Sequence, residues 1–116
     1  MNSSILVVLM CLCAAQFAFG SQHEIKDGKC SNASQDDLVF RDHINKASIP
    51  FIKRDEKVEW HGDTTIYCLQ VTTDQDESKG ATATVKEGGV GHSFVTVKVE
   101  SGRGHSLDYY VKVYAK

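Results

Sequence analysis

The chain has 116 residues and nearly balanced charge, 13 Lys and Arg against 15 Asp and Glu, for a formal net charge of −2. That length suits one domain with one core. The balance is no electrostatic footprint for nucleic acid, whose phosphates call for a strongly basic face.

Residues 5–15 (ILVVLMCLCAA) are apolar all round, and the small residues Ala18 and Gly20 frame a cleavage position. The pattern predicts a secretory leader over residues 1–20, cut after Gly20. The run is too short to cross a bilayer, which takes about 20 apolar residues. Cys11 and Cys13 would leave with the leader. Cys30 and Cys68 remain, and in an oxidising compartment such a pair is expected to form a disulfide. Closing that loop would stabilise the fold by roughly 4 kcal/mol in the chain-entropy picture.

Residues 21–36 read as a polar, extended arm held mainly by Cys30. Within it Asn32-Ala33-Ser34 is an N-glycosylation acceptor, so Asn32 is a candidate modification site. Residues 37–116 read as a single β-domain. Short strands are expected at Leu38–His43, Lys57–Trp60 and Thr64–Thr72, the last apolar on both faces and therefore central. Ile49–Arg54 carries Pro50, the one proline of the chain, which places that piece at a sheet edge or a strand start. Asp74–Lys79 is an acidic loop.

From Gly80 onward three runs alternate apolar and polar residues. Ala81, Ala83 and Val85 share one face of the first. Val95, Val97 and Val99 share one face of the second, and Leu107, Tyr109, Val111 and Val113 one face of the third. A period of two means half-buried strands. Two glycine-rich knots separate them, Gly88-Gly89-Val90-Gly91 and Gly102-Arg103-Gly104, whose glycines can take positive φ at a reversal. The expectation is a three-stranded antiparallel meander. With about seven short strands and no capped helical period, the fold class is all-β, an antiparallel sandwich or a partly closed barrel.

Few residues suggest chemistry. His92 and His105 each follow a knot and could meet in space, but no histidines sit at metal-ligand spacing. The Gly88–Gly91 knot feeds a valine-rich strand rather than a helix, so it is not a phosphate cradle. No serine lies on a strand-to-helix elbow. The expectation is therefore no enzyme activity, no cofactor and no metal. Arg103 and His105 form a small basic tip. Tyr110 and Tyr114 lie on the polar side of the last strand. These four are candidate contact residues for a protein partner.

The ordered series Ile66–Leu69, Thr73-Asp74-Gln75, Gly80–Val85, Gly88–Gly91, Val95–Ser101, Arg103-Gly104-His105 and Val111–Tyr114 resembles the insect multiprotein bridging factor two family. The resemblance covers residues 66–114. It implies a transcription co-activator that does not bind DNA itself. Such a protein connects a bridging factor and a DNA-bound regulator to general transcription factors by protein contacts, and works in the nucleus. It also implies relatives with leaders, found among insect secreted products. Of the two functions, the leader makes a secreted, extracellular, non-enzymatic binding protein the main expectation, with the nuclear co-activator as the alternative.

Overall fold

The computed structural model describes residues 21–116. The expected leader, with Cys11 and Cys13, lies outside the described residues. Seven strands follow in order: β1 (Ile25–Gly28), β2 (Leu38–Lys46), β3 (Asp55–His61), β4 (Ile66–Thr72), β5 (Thr82–Gly88), β6 (Phe94–Glu100) and β7 (Leu107–Ala115). All pairings are antiparallel. They build a four-stranded sheet in the order β1–β4–β7–β2 and a three-stranded sheet in the order β3–β6–β5. Two sheets face to face make a sandwich, not a closed barrel. Among the described residues the only helical pieces are three-residue 3-10 turns at Cys30–Asn32, Gln35–Asp37 and Glu77–Lys79.

The core lies between the sheets. Val95, Val97 and Val99 of β6 are each at most 2% exposed, and Leu107, Tyr109, Val111 and Val113 of β7 at most 1%. Each such residue contributes roughly 1.5–3 kcal/mol relative to an exposed position. Tyr109 buries its ring and donates its hydroxyl to His23 O at 2.6 Å, which satisfies the one polar atom the strand takes inward. One open side of the sandwich is stitched by a backbone bridge, Gln22 N to Ala83 O at 2.9 Å with its reciprocal partner. On the other side Lys46 reaches from β2 to Asp55 O at 2.9 Å and Glu56 at 3.2 Å.

The expected meander is corrected. β5 and β6 pair as a hairpin, but β7 leaves its sequence neighbour and inserts between β4 and β2 of the other sheet. Both β6 and β7 present apolar faces to the same core, so facing each other across the sandwich satisfies the alternation as well as pairing would. The knot at 101–104 is therefore a crossover between sheets. His92 precedes β6 and His105 follows it, so the two lie at opposite ends of that strand and do not meet.

Three local differences share simple causes. Part of the polar arm is β1, because Ile25, 2% exposed, buries its side chain beside β4. Ile49–Arg54 forms no strand; it is a turn closed by Ile52 N to Ile49 O at 3.1 Å. In β4 an irregularity between Ile66 and Cys68 adds one residue against β7. Ile66 therefore joins Leu69 and Val71 inside, whereas Tyr67 turns out with Cys68.

Candidate protein-docking surface

Between β2 and β3 the chain makes the turn Ile49-Pro50-Phe51-Ile52. Pro50 fixes its own φ and has no N–H to pair, which suits the second position of a tight turn. The third position then takes a positive φ, and here it is Phe51, at 67°. Phe51 is the one non-glycine residue with positive φ among the described residues. A bulky side chain in that region costs about 1–2 kcal/mol. The backbone geometry throws the ring outward: Phe51 is 81% exposed, with Ile52 at 50% and Ile49 at 38% beside it.

The turn is not loose. Arg103 Nη1 donates to Phe51 O at 3.1 Å, and Gly104 N donates to Ile52 O at 3.0 Å. Ser101 N donates to Arg54 O at 2.7 Å, and Arg54 N donates to the Ser101 hydroxyl at 2.8 Å. Ser101 itself is 1% exposed. The crossover at 101–104 is thus a cradle for the apolar tip. Gly104 has φ 77°, which a side chain would resist. Gly102 has no room, because a Cβ there would collide with Lys79 O. The polar groups near the tip are Lys53, paired to Glu100 at 3.4 Å, and Arg103, whose guanidinium holds the Phe51 carbonyl. A rigid aromatic residue with apolar neighbours and a polar rim is the arrangement that anchors protein contacts. Its burial in a partner would contribute roughly 1.5–3 kcal/mol.

The four expected contact residues do not form one patch. Arg103 and His105 lie at the tip end, and both are exposed. Tyr110 is half-buried on the outer face of the four-stranded sheet, where its ring stacks on His43 at 4.2 Å. Tyr114 is corrected outright, being 4% exposed. Its outward position on β7 is covered by the segment after β1, and its ring lies 6.4 Å from Tyr67. There Tyr67 donates to Asp37 at 2.7 Å and accepts from Ser34 N at 3.2 Å. Desolvation first, and then the Asp37 hydrogen bond, push the Tyr67 phenol above its ordinary range. Cys30 and Cys68 are joined in a disulfide at this same end, S–S 2.02 Å. Asn32 stands exposed beside it. Gly88, Gly89 and Gly91 all have positive φ in the β5–β6 turn, so they serve the backbone.

Sequence reading passes over Phe51. The signal is present in Ile49-Pro50-Phe51-Ile52, four apolar residues in a row that neither alternate nor sit in a helical period. Placing Pro50 in an edge strand hides it.

The family model for Transcription activator MBF2 matches residues 29–115. No curated protein and no solved structure gives a match. The matched family is one of transcription activators. That overturns the main expectation of a secreted binding protein in favour of the co-activator alternative, and favours the nucleus over the extracellular space. The leader-like composition of residues 5–15, on which that expectation stood, lies outside the matched span. The match runs from just before Cys30 to the last residue of β7, and the chain belongs to the Transcription activator MBF2 family.

Proposed function

We propose that the chain is a non-enzymatic, nuclear transcription co-activator. It connects a DNA-bound regulator, through a bridging factor, to the general transcription machinery by protein contacts alone. Membership of a family of transcription activators over residues 29–115 is the observation that carries this reading. Two physical features support it. A net charge of −2 gives the chain no electrostatic hold on DNA. A strained, exposed Phe51 on a braced turn supplies a ready anchor for a protein partner.

The test has two arms. Purified full-length chain added to promoter DNA should leave its gel mobility unchanged. Co-expressed with a DNA-bound regulator and its bridging factor, the chain should raise transcription of a reporter. A mobility shift by the chain alone, or a flat reporter in cells whose nuclei contain the protein, would overturn the proposal.

A further inference from the structure

An adaptor needs a second contact surface, and the outer face of the four-stranded sheet carries one. The strand registers place Lys26 opposite Gln70, Gln70 opposite Lys112, and Lys112 opposite Arg41. One row across all four strands therefore reads Lys26–Gln70–Lys112–Arg41. At about 4.8 Å per strand, it puts three cations within about 14 Å. None of the three forms an ion pair with another described residue; the ion pairs found involve His43, Lys46, Lys53 and Lys98 instead. Lys112 and Arg41 are direct cross-strand neighbours, an arrangement that folding disfavours because the like charges repel. Nothing in the packing of the sheet calls for it.

The adjoining row supplies an aromatic platform. His43 is opposite Tyr110 in register, and the two rings stack within 5° of parallel. The imidazole is held there by Asp108, Nε2 to Oδ1 at 2.6 Å. Arg41, Asp42, His43, Tyr110 and Lys112 line one shallow concavity. Its one acid, Asp42, already accepts from His43 N at 2.9 Å, and the neighbouring Asp108 is engaged by His43 Nε2.

We propose that this row docks an extended acidic segment of a partner protein. Carboxylates on the segment would meet Lys112, Arg41 and Lys26, and an interleaved apolar side chain would lie on the Tyr110–His43 stack. A protein segment fits better than nucleic acid. Three cations on a chain of net charge −2 can answer two or three carboxylates, but not the longer run of phosphates that gives nucleic-acid affinity. The biological use of the row rests on the co-activator reading; the binding itself does not.

The probe is a fluorescent peptide of about a dozen residues alternating Asp or Glu with Leu or Phe, titrated with the full chain and followed by anisotropy. Binding should appear at low salt and weaken as salt rises. The double variant Arg41→Gln/Lys112→Gln should bind roughly tenfold more weakly or worse, with a melting temperature no lower than the parent, because removing the repulsive pair relieves the sheet. Lys57→Gln, on the other sheet, should bind as the parent does. If the double variant melts early, Lys26→Gln at the end of the row replaces it and should weaken binding in the same direction. Equal binding by parent and row variants would overturn the proposal. So would tighter binding, lost in the same variants, to a short DNA duplex or to vesicles containing phosphatidylserine. A reporter that still responds while peptide binding is absent would sink this surface and leave the co-activator standing. Peptide binding with a flat reporter would do the reverse.

Discussion

The two ends of the sandwich treat their aromatic residues in opposite ways. At one end the segment after β1 folds over Tyr67 and Tyr114, tied by the Cys30–Cys68 disulfide and by hydrogen bonds from Ser34 and to Asp37. At the other end Phe51 stands 81% exposed in a backbone conformation that glycine would hold more cheaply. The first end is built to stay folded, by the disulfide where it is oxidised and by the ring packing and hydrogen bonds where the nucleus keeps thiols reduced. The second carries an aromatic ring that the fold does not use, on a turn braced by Arg103 and Gly104. Stability and contact are thus placed at separate ends, and substitutions at each end should act on one without the other.

The largest effect should come from the closed end. Cys68→Ala removes the cross-link and should lower unfolding free energy by about 2–4 kcal/mol in denaturant titration of the oxidised protein. An unchanged midpoint would mean that this end is held by packing alone.

The brace of the open end comes next. Gly102→Ala forces a Cβ against Lys79 O, and should cost about 1–3 kcal/mol. Gly104→Ala meets only the positive-φ penalty, about 1 kcal/mol, since its Cβ would reach ordinary contact with Phe51 N at 3.6 Å. Thermal melts of the two variants should rank in that order, and the reverse order would mean that the crossover is not the support described.

A smaller effect tests the centre against both ends. Burial, with a lesser contribution from Glu24, pushes the Tyr109 phenol up to about 12. An unfolded tyrosine titrates near 10. The folded state therefore holds its proton longer. This contribution is fully present below about pH 10 and is lost as pH rises toward 12, costing about 1 kcal/mol by pH 11. Tyr109→Phe should be less stable at neutral pH but show a shallower alkaline decline. Parallel declines in the two proteins would contradict the assignment.

Much of this was legible in the residues. The alternation of Val95, Val97 and Val99, and of Leu107 to Val113, marks which side chains point inward. Cys30 and Cys68 were expected to pair on the premise that Cys11 and Cys13 leave with a leader; the disulfide is there, while that premise falls outside the described residues. Alternation does not say which strands are neighbours, however, and the 101–104 knot serves a hairpin and a crossover equally well. Tyr114 occupies an outward position on β7, and only the path of a distant segment decides that it is covered. The cation row was also hidden. Lys26, Arg41 and Lys112 are far apart in sequence and share a row only through three separate registers. Phe51 was obscured by its own neighbour, since Pro50 accounts for an edge strand as readily as for a turn.

Phe51→Gly isolates the claim that the open end exists for contact. It relieves the backbone penalty and removes an exposed ring, so the melting temperature should hold or rise, by up to about 1 kcal/mol of stability. The decisive measurement is reporter activation by this variant at matched nuclear abundance. We expect activation to fall severalfold while the protein stays as stable as the parent. Full activation by a stable Phe51→Gly protein would contradict the assignment of the tip as a docking surface.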